Sequence, residues 1–309
     1  MKRPGKIFGA IFLGLVLLFL YGPLLSVIVY SFNESKMVTL WTGFSLKWYG
    51  ELFRDQELLD AAWLSFKLAM ATAFAAVFVG TWIGFVLARY RKFKGSTLFT
   101  AMVSAPMVLP EVIAGLSMLL LFLTMQQLLG WPSGRGMLTI WIGHIMVCLS
   151  YVAITIQSRL ASMDQSQLEA AQNLGATPLR AFFDITLPQI SQALLASWLL
   201  SFTISLDDVI MSAFLSGPGS TPLPLVVLSR VRLGLNPEIN ALGTLFIAVV
   251  TVLVLVNNHY MLKRERRREQ EIRQALSAGD APAASQPAAR SVAASQPVGT
   301  ATPLRQEPA

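Results

Sequence analysis

Residues 137–157 read MLTIWIGHIMVCLSYVAITIQ, and residues 158–192 continue SRLASMDQSQLEAAQNLGATPLRAFFDITLPQISQ. The first stretch is apolar almost throughout and matches the roughly 20 helical residues needed to cross a hydrocarbon core about 30 Å thick. The second opens polar, breaks at Gly175 and Pro178, and then turns aromatic. A spanning helix that feeds an elbow outside the bilayer makes this an all-α integral membrane protein.

Two short helices are expected in the elbow. Asp164 with Gln167 and Ser166 with Glu169 are spaced as capping boxes, and Gly175 suits the left-handed position after a helix. Thr177 can cap a second helix with Pro178 in its first turn, and Pro188 is expected to limit that helix. Leu168, Ala171 and Leu174 share one side of the first helix, while Leu179, Phe182 and Phe183 make the second apolar enough to need cover. Glu169 alone could serve only its own helix as a capping glutamate, but that role would leave the small alanines and the aromatic surface unexplained.

Outward from the elbow lie five more runs of spanning length, at about 7–31, 62–88, 98–123, 193–215 and 241–262, giving six spans in all. The first is longer than a signal peptide's apolar core and lacks a small-residue cleavage site, so it reads as an uncleaved anchor. With the N-terminus inside, fifteen Lys and Arg fall in the inner segments and six in the outer ones. Basic residues are retained on the cytoplasmic side, so both termini and the 158–192 loop are expected there. Trp41, Trp48, Trp131 and Trp141 fall near outer span ends, as belt residues would. Residues 1–262 thus form the membrane domain. Residues 263–309 begin basic and then become Ala, Ser, Pro and Gln, which cannot bury enough surface to fold and are expected to be a disordered cytoplasmic tail.

Composition agrees, with 54% apolar residues, 13% charged residues and a mean hydropathy of +0.57. The +7 formal charge sits in clusters beside apolar runs, as topology signals do, which argues against nucleic-acid binding. The one cysteine, Cys148, allows neither an intramolecular disulfide nor a cysteine-based metal cluster. No GxxxxGK[ST] phosphate loop occurs, so ATP must be handled by another subunit. The two histidines, His144 and His259, are far apart and no GxSxG motif occurs, which disfavours a membrane enzyme. No cofactor is expected.

Acids at membrane depth cost on the order of 3 kcal/mol each and usually face a cavity or a partner. Glu111 falls near the middle of the third span, after Pro106 and Pro110, where a broken or kinked helix is expected. Asp207 and Asp208 lie toward the outer half of the fifth. A helix would turn these two about 100° apart, so only one could face a given axis. The acids are candidate cation ligands, or else they pair with other helices or cap a helix end. His144 and Lys67 are possible partners, each with a local role near a span end as the plainer alternative.

Glu169-Ala170-Ala171, Gly175, Ile185 and Leu187-Pro188 resemble the EAA loop of the permeases of binding-protein-dependent ABC importers. The resemblance implies a type I permease fold whose EAA loop is a coupling helix seated in a groove of the ATPase. Tyr30 to Asn33 with Trp41, Gly43, Trp48 and Tyr49, Ala105-Pro106 through Pro110-Glu111, Ser205 to Asp208, and Asn236 to Ala241 are further similar to the polyamine permeases. Of these, the second permease subunit of putrescine systems is the nearest in pattern. That family implies two ATPase subunits, a second homologous permease, a periplasmic polyamine-binding protein and a place in the bacterial inner membrane. Spermidine or another organic cation remains open as the substrate. An ion-coupled secondary transporter would also use intramembrane acids, but it would need no EAA elbow.

Overall fold

The computed structural model describes residues 4–252 and 255, apart from 38–39, 91–92, 235–236 and 250. Helix α1 (Pro4–Ser31) leads through a short α2 (Lys47–Leu52) to α3 (Gln56–Arg89), and α4 (Ser96–Val108) and α5 (Glu111–Leu129) precede α6 (Met137–Ala161). The elbow contains α7 (Gln165–Asn173) and α8 (Pro178–Ala181), and α9 (Leu187–Asp207), α10 (Ile210–Leu215) and α11 (Leu223–Leu233) follow. A last helix, α12, covers Pro237–Val249. The chain divides into compact units Met1–Phe246 and Ile247–Ala309. The expected tail at 263–309 lies outside the described residues, as do Lys2, Arg3, Arg91 and Lys92.

Among the described residues, five helices are long and apolar enough to cross a membrane, and Ser96–Val108 and Pro237–Val249 are shorter apolar helices. The third expected span is two pieces. Pro110 drives Leu109 into an extended conformation with ψ 136°, which ends α4, and α5 restarts at Glu111. Glu111 therefore occupies the first turn of a helix instead of a mid-helix position.

The fifth span also departs from expectation. It begins at the elbow, because Phe182–Thr186 forms a π-helical turn that joins α8 directly to α9. Pro188 sits in the first turn of α9, where its missing amide costs little, so it does not end the helix begun at Pro178. At the far end α9 stops at Asp207, and Asp208 is extended with ψ 127°.

The core of the first unit is the packing of α3, α6 and α9. A stripe on α3 is built from small residues: Ala69, Ala73, Ala76, Gly80 and Gly84. In lipid, helix association depends on such close approach more than on the hydrophobic effect. A Cβ on Gly84 would stand 2.7 Å from the Ala153 carbonyl oxygen, and one on Gly80 would stand 2.7 Å from Val152 Cβ. Large side chains such as Phe74 and Phe78 point outward instead, 61% and 68% exposed, as a lipid- or partner-facing surface requires.

The loop after α1 is tied by Asn33, which is buried. Its Nδ2 donates to the Leu40 carbonyl at 2.7 Å, its Oδ1 accepts from the Thr42 amide at 3.0 Å, and its own carbonyl accepts from Trp48 Nε1 at 2.6 Å. Trp48 is 2% exposed, so it is a core residue of this loop and not an interfacial belt residue, whereas Trp41 and Trp131 remain half exposed.

Candidate functional site

The helix breaks bring the three acids together. Glu111 at the start of α5, Asp207 at the end of α9 and Asp208 in the following break all line one cavity of about 420 Å³, with His144, Tyr151 and Ile204. The 100° separation expected for Asp207 and Asp208 does not apply, because the helix ends between them.

Their surroundings differ. The Asp208 carboxylate accepts from the Ser212 amide at 2.7 Å and from the Met211 amide at 3.3 Å, which caps α10. It also lies 3.1 Å from His144 Nε2. His144 Nδ1 lies 2.7 Å from Ser205 Oγ. His144 is 3% exposed and joins α6 to both sides of the break, so its role is neither local nor at a span end. Asp207 and Glu111 are exposed to the cavity, and neither carboxyl has an ion-pair or hydrogen-bond partner on another residue among the described residues. Lys67 is elsewhere, over the Trp63 ring at 5.7 Å.

Helix α6 is the scaffold of this region. Thr139 Oγ1 donates to the Leu215 carbonyl at 2.8 Å, satisfying the end of α10. Gly143 leaves room for Leu215, whose Cδ1 would lie 2.5 Å from an added Cβ. Thr139, Gly143 and His144 therefore hold α10 at its end, its flank and its start. On the other side Gly115 of α5 admits Phe214 in the same way.

In the elbow, Asp164 caps α7 by accepting from the Ser166 amide at 3.0 Å. That bond holds the exposed carboxyl below its usual range. Neither expected capping box forms, since Gln167 instead accepts from Gln189 Nε2 at 2.6 Å across the elbow. Gly175 has φ +85°, and the Ala176 amide closes the helix end on the Ala171 carbonyl at 3.0 Å. Thr177 caps α8 through the Arg180 amide at 3.4 Å.

Glu169, Ala170 and Pro188 are exposed, and Ala171 and Leu187 are partly buried. The apolar residues divide into two sets. Phe182 stacks on Trp82 at 5.7 Å and meets Phe85 edge-on at 5.5 Å, so the chain covers it itself. Leu174, Leu179 and Phe183 stay 89%, 67% and 56% exposed. Behind them a cavity of about 430 Å³ separates the elbow from the ends of α3 and α6, lined by Leu168, Ile185, Phe85 and Leu160 among others.

Sequence reasoning missed a third polar centre. Arg230 of α11 contacts Asp55 at 2.5 Å, Glu57 at 2.6 Å and Glu238 at 3.4 Å, joining the start of α3 to α11 and the start of α12. The Arg230 hydrogen bond holds the Asp55 carboxyl below its ordinary range, and the acids in turn push the guanidinium up. Asp55 and Arg230 are 175 positions apart, and no local pattern marks the pair.

Residues 80–266 match the family described as "Binding-protein-dependent transport system inner membrane component". The chain is 50% identical over 257 residues to the putrescine transport system permease protein PotI of Escherichia coli (strain K12), covering 83% of this chain and 92% of that protein. It is 36% identical over 253 residues to the spermidine/putrescine transport system permease protein PotC of the same strain, covering 82% and 93%. Among solved structures, a chain of a bacterial ABC transporter involved in the import of the acidic polysaccharide alginate superposes with a TM-score of 0.64. That match has 18% identity and covers 84% of this chain and 98% of that one, a likeness of fold.

Proposed function

Since the chain belongs to the family of binding-protein-dependent transport system inner membrane components, we propose that it is the permease subunit through which an ABC importer passes a polyamine, putrescine foremost, into the cytoplasm. It is not itself an enzyme, and a separate ATPase hydrolyses the nucleotide. Its partners are two ATPase subunits, a second homologous permease and a periplasmic polyamine-binding protein, with lipid around the spans. Both termini and the elbow lie in the cytoplasm, a reading supported by the bias of basic residues toward that side. Residues 1–262 do the work of transport and residues 263–309 are an accessory tail.

The observation that carries the substrate reading is the convergence of Glu111, Asp207 and Asp208 on one cavity. A diamine entering the membrane loses hydration from two ammonium groups, and carboxylates without other partners can replace part of it. Glu111 and Asp207 meet that requirement. The elbow supplies the coupling: Leu174, Leu179 and Phe183 form the apolar face that an ATPase groove would cover, on the loop whose Glu169, Ala170, Ala171, Gly175, Leu187 and Pro188 are assigned to the same docking role.

The test is uptake of labelled putrescine by cells that carry the complete importer, at matched membrane levels of each variant. Glu111→Gln and Asp207→Asn keep shape and remove charge, and each is expected to depress uptake at least about tenfold, as loss of a charge-assisted contact implies. Unchanged rates and concentration dependence in both would leave these acids structural. Spermidine is the second substrate to compare in the same cells, since the 36% identical relative carries both names.

A further inference from the structure

We propose that His144 is the positioning residue of the cation site, holding Asp208 inside the α9–α10 break so that Asp207 and Glu111 are left to meet the substrate. The proposal rests on reading the cavity as the cation's path. Two adjacent aspartates at the end of one helix would ordinarily compete for the same role. Here they are separated by their hydrogen bonds. Both carboxylate oxygens of Asp208 are engaged, by two α10 amides and by the imidazole.

The imidazole is in turn fixed from both ends. A neutral ring with its proton on Nε2 donates to Asp208 and accepts the Ser205 hydroxyl proton at Nδ1, which fits the 3.1 Å and 2.7 Å separations. Ser212 Oγ, 3.3 Å from Nε2, closes the ring of contacts. Ser205 belongs to α9 and Ser212 to α10, so one side chain from α6 sets the geometry on both sides of the break. Without it, Asp208 would be a largely buried carboxylate held only by the start of a six-residue helix. It would then seek water or a cation in the cavity, and α9 and α10 would lose the link that aims Asp207.

The same uptake assay tests this with four variants in the complete importer. His144→Ala is expected to lower putrescine uptake at least about tenfold at equal membrane level. His144→Gln, whose amide nitrogen can stand where Nε2 stands and donate to Asp208, is expected to recover to within about threefold of wild type. Asp208→Asn combined with His144→Ala is expected to lose less than the product of the two single losses, because both act through one contact. The proposal is overturned by wild-type uptake in His144→Ala, by a Gln variant as poor as the Ala variant, or by losses that multiply. Failure of the cavity reading looks different: Glu111→Gln and Asp207→Asn would transport normally while the His144→Ala loss and its rescue by Gln persisted.

Discussion

Replacing Arg230 with Met isolates the polar centre that no sequence pattern announced. The side chain keeps much of its length and loses its charge, removing the Arg230 contacts of Asp55 and Glu238, whose side chains are 19% and 14% exposed. Glu57 is 69% exposed and contributes little, because water already solvates it. A hydrogen bond to a charged group is worth roughly 1.5–3 kcal/mol. The Asp55 contact counts nearly in full and the 3.4 Å Glu238 contact only in part, so the expected loss is about 2–3 kcal/mol. For a domain of this size that corresponds to an apparent Tm lower by roughly 4–6 °C, measured by thermal unfolding of the detergent-purified chain at one scan rate.

The pH dependence has a definite sign. Asp55 has a folded-state pKa below its unfolded value, chiefly through the Arg230 hydrogen bond. Its contribution is therefore present above the unfolded carboxyl value and lost as pH falls through the depressed one. The gap between wild type and Arg230→Met should stay constant from about pH 8 to 5 and narrow below about pH 4. An equal Tm for the two proteins at neutral pH, or a gap that widens in acid, would refute this account of Arg230.

Three further outcomes are expected. Gly84→Val forces α3 away from the Ala153 carbonyl and should cost at least about 1–3 kcal/mol, seen as reduced folded protein by size exclusion. A normal yield would mean that the helices can part at no penalty. Gly175→Val must hold a β-branched residue at φ +85°, and together with Ala171→Trp it should abolish ATP-driven uptake while the chain still inserts. Normal transport by the double variant would sink the docking role of the elbow. Truncation after about residue 275 should leave uptake within about twofold of wild type, because the removed segment lacks the apolar residues of a packed module. A severe loss at normal protein level would assign the tail a role in transport.

What could be read in advance followed from local chemistry. Apolar length located the five long apolar helices among the described residues, and Gly175, Thr177 and Pro178 gave the elbow, because a left-handed turn and an N-cap need only a few neighbouring residues to form. Pro110 announced the break before Glu111 for the same reason. The second break was not legible, since nothing in Ser205-Leu206-Asp207-Asp208 forbids a continuous helix. Asp208 leaves the helix to cap α10 and to meet His144, a partner 64 positions away. Trp48 misled in a similar way. Its place near a span end suits a belt residue, and the Asn33 carbonyl together with a core cluster that includes Leu58, Leu223 and Leu242 makes burial favourable.

The two regions assigned to function are joined by one helix. From Leu187 to Asp207, α9 has 21 residues, about 30 Å at 1.5 Å per residue, with the elbow at one end and the cavity at the other. Phe182 is pinned between Trp82 and Phe85 just before the helix begins, and the π-helical turn beside it is a recognised place for a helix to yield. The face that α9 buries carries Ser197, Ser201 and Ser205 at successive turns, small side chains that do not interlock as leucines would. If the elbow is the coupling surface proposed above, a push on Leu179 or Phe183 would either bend the chain at the π turn or carry α9 along that small-residue face. Asp207 ends α9 and Glu111 starts α5, so a displacement carried by α9 would change the spacing of the two carboxylates that a diamine would bridge.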